Sequence, residues 1–534
     1  MPSTQLNPNR LTRPTLQPQE LTIGLRQHRY PSLYQVSTRV WLRELEEGLG
    51  KRATLDDIPD CELDRLAYTG FDWIWFLGVW QTGPAGQRVS RENRQWQIEF
   101  RQVLPDLREN DVCGSCFAIT NYKAHADFGG EVALERLRNR LHERGMRLLL
   151  DFVPNHTALD HPWVGQHPEF YVRGTEEQLR KEPQNYLRVD ASTKPTILAY
   201  GRDPYFSGWP DTLQLNYSES SLQDAMQLEL ASVAERCDGV RCDMAMLILP
   251  DVFERTWGLR MEPFWPRAIP LIRSLRPDFL FMAEVYWDLE WTLQQQGFDY
   301  TYDKKLYDRL RDRHARPVRE HFCADKEFQQ KSARFLENHD EPRSAATFAP
   351  GMHQAAAVLT YLCPGLRFFH DGQFEGRDKK VSVHVGRRPI EPVDSCLRDF
   401  YARLLNCVHL PVMHDGEWSL LNCAAAWEAN WTSDCFICFA WQKSGSAPLV
   451  VIVNYAPNQS QCYVQLPFDE LRGRTVRAQD LMSSAAYERD GDELVNHGLY
   501  LDMPEWGYHV FKQRRFEIGT EREKTSQKRP GERP

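Results

Sequence analysis

The chain has 534 residues, 42% of them hydrophobic and 26% charged, with a formal net charge of −9. This balance fits a globular protein with one large core and smaller appended units, and it offers no basic footprint for nucleic acid. No run of about 18 apolar residues marks a membrane span, and the opening "MPSTQLNPNRLTRPTLQPQE" lacks the apolar stretch of a signal peptide.

Residues 1–28, rich in proline and polar side chains, read as a loose arm. "LYQVSTRVWL" (33–42) reads as a strand. "DDIPDCELDRLAYTG" (56–70) reads as a helix with Asp57 as N-cap and Gly70 as its stop. A second strand is expected at "FDWIWFLGV" (71–79). The helical pattern "EVALERLRNRLHERG" (131–145) then leads into the buried strand "MRLLLDFV" (146–153). The stretch 157–230 is too long for a plain connection and reads as a small inserted unit. "DAMQLELASVAERC" is helical and runs into "DGVRCDMAM". "PDFLFMAEVYW" (277–287), "FDYTYD" (298–303), "SARFLENHD" (332–340) and "GLRFFHDG" (365–372) continue the series.

Eight near-continuous apolar strands alternating with helical segments indicate a parallel sheet covered by helices. A (β/α)₈ barrel fits this count, with a doubly wound open sheet as the alternative on pattern alone. From about 415 the texture changes to short strands between turns, "DCFICFAW", "PLVVIVNY", "CYVQLP" and "YHVFKQ", which read as an antiparallel β-sandwich. The charged tail "GTEREKTSQKRPGERP" reads as disordered.

Thirteen cysteines are scattered without a framework, which favours free thiols and a cytoplasmic location. The pairs Cys113/Cys116 and Cys435/Cys438 have Cys-x-x-Cys spacing. They fall in different units and no further ligand cluster accompanies them, which argues against a zinc site.

In a barrel of this kind, chemistry sits at the C-terminal ends of the strands. Four strands end in polar groups: the third in Asp151, Asn155 and His156, the fourth in Arg241 and Asp243, the fifth in Glu284, and the seventh in Asn338, His339, Asp340 and Arg343. Arg241 and Asp243 lie two apart, on one face of a strand. The cation would keep Asp243 ionised, as a nucleophile requires. Glu284, among Val285, Tyr286 and Trp287, would have its pKa raised by desolvation, as an acid requires. Two such carboxylates roughly 5–5.5 Å apart can perform retaining glycoside hydrolysis. Asp340 could hold sugar hydroxyls and stabilise the positive ring, with His156 and His339 as further hydroxyl partners.

These segments resemble the α-amylase family of glycoside hydrolases (family 13). "DFVPNH", "GVRCDMAM", "AEVY" and "ENHDEPR" look like its first to fourth regions in order. "WPDTLQLNY" (209–217), "GSCFAITNY" (114–122) and "GLRFFHDGQFEGR" (365–377) look like accompanying motifs. The resemblance implies a catalytic (β/α)₈ barrel (29–156 and 231–412), an inserted domain B (157–230), a C-terminal β-sandwich (413–516) and a tail (517–534). It also implies a retaining mechanism on α-glucosidic bonds, with an oligosaccharide or polysaccharide as the partner; no cofactor is expected from the sequence. Carried over, Asp243 is the nucleophile, Glu284 the acid/base and Asp340 the transition-state stabiliser. Arg241, His156 and His339 line the subsite of the attacked sugar, Asp151 and Asn155 support it, and Arg343 resembles an arginine that contacts the terminal sugar in exo-acting members.

Phe117 stands where the family usually has tyrosine; it keeps a stacking face and loses the hydroxyl. "MAML" (244–247) replaces a Lys-His pair on the acceptor side, which favours a linkage or acceptor other than long-chain starch. A structural calcium is not readable: Asp160, Asp190 and Asp211 read as solvated or capping. Three readings remain open. They are an α-glucan or α-glucoside hydrolase, a transglycosylase or phosphate-using transferase, and a catalytically silent carbohydrate-binding relative. Trp418, Trp427, Trp431 and Trp441 are candidate glucan platforms in the C-terminal unit, with a packing role the favoured reading.

Overall fold

The computed structural model describes residues 28–191 and 194–515; the expected arm, save its last residue, and the tail lie outside them. Eight strands close a barrel: β1 (Ser32–Ser37), β2 (Trp73–Leu77), β3 (Arg147–Phe152), β4 (Gly239–Cys242), β5 (Leu280–Ala283), β6 (Tyr300–Tyr302), β7 (Ser332–Arg334) and β8 (Leu366–His370). Each pairs in parallel with its sequence neighbours, and β8 returns to β1. The open-sheet alternative is therefore excluded, and each of the eight expected runs supplies one barrel strand. Their apolar continuity has a physical cause. One face of each strand packs inside the barrel and the other beneath the helices, so no residue needs to be polar.

Two local expectations are corrected. The run 33–42 is half strand and half helix: β1 ends at Ser37 and a helix occupies Thr38–Leu49. The β-branched Thr38 and Val40 suggest strand, and with Leu42 they are buried at every second residue, the spacing a strand would show, although the segment is helical. Gly50, at φ 63°, ends the helix and donates to Glu46 O at 2.9 Å. Asp57 is not the N-cap of the next helix. It completes a capping box with Thr54 around a short turn at Leu55–Asp57, and the helix Asp60–Tyr68 starts after Pro59.

Between β3 and β4 the chain builds a four-stranded antiparallel sheet, ordered His156–Ala158, Trp209–Gln214, Lys194–Gly201 and Tyr186–Ala191. The C-terminal unit has a six-stranded and a three-stranded sheet. Its strands Phe436–Gln442 and Leu449–Asn454 show how a fully apolar run divides its work. Phe436, Cys438, Ala440, Val450 and Ile452 fill a core between the two sheets, while Ile437, Phe439, Trp441, Leu449, Val451 and Val453 join the core shared with the barrel. Trp441 is buried and its indole N–H donates to Leu362 O at 2.7 Å, and Trp418 packs against Phe439. Trp427 and Trp431 are exposed. Several strands of this unit escape sequence patterning, among them Thr475–Asp480 and Ala486–Asp490. The latter is exposed at every residue, so no alternation exists to be read.

Candidate active site

Register builds the site. Arg241 on β4 lies opposite Asp151 on β3 and Met282 on β5, and Cys242 lies opposite Ala283. The pairing continues one residue beyond the strands. Asp243 N donates to Phe152 O at 2.8 Å, and Glu284 N donates to Cys242 O at 3.0 Å. Asp243 and Glu284 therefore emerge side by side at the barrel's C-terminal rim.

The fully buried Arg241 guanidinium joins them. One terminal nitrogen donates to Asp243 Oδ1 at 2.6 Å. The other donates to Glu284 Oε2 at 2.8 Å and lies 3.8 Å from Asp340 Oδ2. Trp75 and Phe117 place ring centroids 5.4 and 5.1 Å from its carbon, a contact that favours the cation. Burial alone would disfavour the Arg241 charge, but Glu284 and Asp243 outweigh it and hold its pKa well above the ordinary value.

Glu284 is the group set apart. Burial pushes its carboxyl up to about 8, with Arg241 opposing and the charges of Asp243 and Asp340 adding to the rise. Its oxygens are fixed from three sides: Oε2 also accepts from Met244 N at 2.7 Å, and Oε1 accepts from the Tyr286 hydroxyl at 2.8 Å. Met244 reaches this position in the left-handed region, at φ 44°, a conformation uncommon for a residue with a side chain.

Asp340 behaves oppositely. Desolvation works against its ionisation, but His339 and Arg241 prevail and hold the carboxyl well below the usual range. Its side chain keeps 41% exposure, and His339 Nε2 lies 2.9 Å from Oδ2. On the other side of the imidazole, the Gln35 amide donates to Nδ1 at 2.8 Å. That fixes the tautomer, so Nε2–H faces Asp340. Burial lowers the pKa of His339 and of His156, favouring neutral rings.

The remaining expected residues surround this group or stand behind it. Asp151 is buried, accepts from Trp75 Nε1 at 3.1 Å and Gly78 N at 2.7 Å, and is pushed by burial to about 7. Asn155 Oδ1 accepts from the Gln214 amide at 2.9 Å, tying the end of β3 to the inserted sheet. His156 packs edge-on to Trp209. Phe117 lies between Arg241 and His339, 5.4 Å from the imidazole centroid. Arg343 points its nitrogens at protein groups: Glu337 at 2.8 Å, His370 at 2.6 Å and Asp371 O at 2.9 Å. Within "MAML", Ala245, Met246 and Leu247 are buried, which leaves Met244 as the partly exposed side chain.

Asp160 caps the helix Pro84–Glu92 by accepting from Ala85 N at 2.9 Å, as expected of a capping acid. Asp211 departs from expectation. It is neither solvated nor capping but buried, with one oxygen unpartnered and its pKa pushed by burial to about 6. The Asp190 side chain lies outside the described residues. All thirteen cysteines are free, and among the described residues no group of three or more His, Cys, Asp or Glu is arranged to hold a metal ion. No helix among them is long and apolar enough to cross a membrane.

Sequence reading missed Gln35, the hydroxyl roles of Tyr286 and Tyr302 (its oxygen 3.4 Å from Arg241 Nε), and Lys380, which donates to the Asp340 carbonyl. A signal existed for Gln35, a polar residue inside the apolar strand of β1, as conspicuous as Arg241 in β4. Lys380 sits in the connection after β8 and carries no pattern.

Residues 63–392 match the family described as alpha amylase, catalytic domain. Alpha-amylase 3 of Dictyoglomus thermophilum is 23% identical over 297 residues, covering 51% of this chain and 56% of that protein. A trehalose synthase of Pimelobacter sp. is 31% identical over 208 residues, 36% of this chain and 30% of that protein. The chain spans about half the length of the first curated relatives it matches. The crystal structure of a maltogenic alpha-amylase of Thermotoga neapolitana superposes with a TM-score of 0.65 at 17% identity, over 92% of this chain and 99% of that one.

Proposed function

The chain belongs to the α-amylase family, and from this premise we propose that it is a retaining α-glycosidase acting on α-glucans or short α-glucosides. Asp243 attacks the anomeric carbon while Glu284 gives its proton to the departing oxygen. The glycosidic bond breaks and a covalent glycosyl-enzyme forms. Glu284, now ionised, takes a proton from water, whose oxygen displaces Asp243 and restores both groups. Asp340 stays ionised beside the developing positive charge on the ring. His156 and His339 bind hydroxyls as neutral imidazoles, Phe117 offers a ring face, and Asp151 and Asn155 hold the rim in place.

One observation carries this reading: a single guanidinium bonds Asp243 and Glu284 at once, while burial keeps Glu284 protonated near neutrality. Two carboxyl groups bridged this closely suit the roughly 5–5.5 Å separation of a retaining pair better than the wider inverting spacing. The presence of all three carboxylates speaks against a silent binding protein. Transfer to a sugar or phosphate is the second reading. It is favoured by the apolar Met244 at the acceptor side and by the trehalose synthase among the similar proteins. Thirteen free thiols support action in a reducing cytosol.

A proton NMR time course with maltotetraose, with and without phosphate, tests the proposal. New α-anomer appearing before mutarotation is the expected result. First-formed β-anomer would overturn the retaining assignment. Longer oligosaccharides or a sugar phosphate would establish transfer over hydrolysis.

A further inference from the structure

A groove of about 910 Å³ opens beside the barrel without including any of the catalytic carboxylates. Its walls come from the helix Thr38–Leu49 and residues 50–53, from 81–91, from 110–113 and from 125–128. The volume lies in the range of small-molecule sites, roughly 300–1,000 Å³.

Arg39 lines the groove with only 9% exposure, and among the described residues it makes no ion pair. Its guanidinium is met by neutral oxygens alone: Gly114 O at 2.5 Å and Thr82 Oγ1 at 3.0 Å. A buried cation without a counter-charge is costly to keep, which makes an anionic ligand its natural complement. Four further cations share the lining, of which Lys51 pairs with Asp57 at 2.7 Å. Arg43 is held by Glu46 at 2.6 Å, Arg52 pairs with Asp127, and Arg91 is held by Glu109 at 3.0 Å with its Nε buried and unpartnered. Exposed pairs of this kind contribute little to stability, so they can open to a phosphate that accepts several charge-assisted bonds. Thr82, Gln81 and Asn110 add hydroxyl-matching groups around the cations.

We infer that this groove is a second ligand site, for a phosphorylated sugar, and that its occupancy is felt at the catalytic rim. The connection is physical. Arg39 grips Gly114, three residues before Phe117, whose ring faces Arg241. Gly114 has no slack: φ is 84°, and a Cβ would sit 2.8 Å from Gln87 N. Cys113 N and Gly114 N both donate to His384 O, at 2.8 and 3.2 Å. A ligand that draws on Arg39 therefore loads the segment that carries Phe117.

The binding half of this inference stands apart from the proposed reaction, so the test reads it first by thermal unfolding. Glucose 6-phosphate at millimolar concentration is expected to raise Tm by several degrees, while glucose does not. The R43A/R91A variant should need at least tenfold more ligand for the same shift, with its own maltotetraose turnover unchanged. Arg39→Gln, checked for native circular dichroism, should lose the shift as well. With wild-type protein, the same ligand should change kcat/KM on maltotetraose by twofold or more. Absence of a Tm shift, or an equal shift in R43A/R91A, would overturn the site. An equal shift from inorganic phosphate would overturn the sugar assignment in favour of a bare anion site. A Tm shift with unaltered kcat/KM would overturn the coupling to the rim.

Discussion

Arg241 and Glu284 meet at 2.8 Å inside the barrel, on adjacent strands, with both side chains almost wholly removed from water. The same guanidinium holds Asp243 at 2.6 Å, so its loss leaves the buried Asp243 carboxylate without its counter-charge and takes a donor from the Glu284 carboxyl. Removing one partner of a buried ion pair costs about 3–5 kcal/mol. Arg241→Leu should destabilise the protein by that order in urea unfolding and abolish turnover. Arg241→Lys, with one ammonium in place of a planar fork, should recover part of the stability and little of the activity.

Under the proposed mechanism, the raised pKa of Glu284 sets the alkaline limit of the reaction. Proton donation requires the acid form, so kcat/KM should fall as pH passes about 8. The same shift makes stability depend on pH. Relative to the unfolded chain the folded state holds the Glu284 proton more tightly, so this contribution is fully present below the unfolded value and is lost as pH rises through about 8. Glu284→Gln should therefore gain stability over the native protein as pH is raised from 5 to 9, measured as the difference in Tm.

The proposed catalytic roles separate by leaving group. Asp243→Asn should lower kcat at least a thousandfold on every substrate while unfolding normally. Glu284→Gln should spare an aryl glucoside with an acidic phenol far more than maltotetraose, because a good leaving group needs no proton. Equal losses on both would remove Glu284 from the role of acid.

Tyr286 tunes that acid through its hydroxyl. A donor to a carboxylate favours the charged form, and Tyr286 donates to Oε1 at 2.8 Å. Tyr286→Phe should move the alkaline limb of the pH profile upward and reduce kcat/KM several-fold. An unmoved limb would show that the contact only positions the side chain.

The tryptophans of the C-terminal unit divide by burial. Trp441→Ala empties a fully buried site and loses the bond to Leu362 O, and large-to-small changes of this kind cost about 3–5 kcal/mol. Trp431→Ala, at an indole 70% exposed, should stay within about 0.5 kcal/mol of the native protein. Chemical denaturation of both variants compares them directly.

The barrel was legible because burial on both faces writes a strand as an unbroken apolar run, and a charge inside such a run stands out. Arg241 and Asp243 were found this way, and Glu284 by its place at the end of the next strand. Gln35 carries the same mark but sits in a run whose second half is helix, where the apolar residues dominate the pattern and hide it. The Asp211 environment was not legible. Its burial comes from chain segments remote in sequence, among them the helix Pro84–Glu92 and the connection after β8, where His384 lies 3.9 Å away. The groove beside Arg39 escapes for the same reason, since its walls are drawn from four separated stretches and Gly386.

Position 244 gives Glu284 a backbone N–H, not a side-chain group. Every amino acid except proline can supply that donor, and glycine, asparagine or aspartate would adopt the left-handed turn more readily than methionine. Under the proposed mechanism the side chain is thus released from the chemistry and left to border the acceptor. Substrate preference can drift at this one residue while the proton donor keeps its setting, so a saturation library at 244 should yield enzymes that differ in what they accept more than in how fast they cleave.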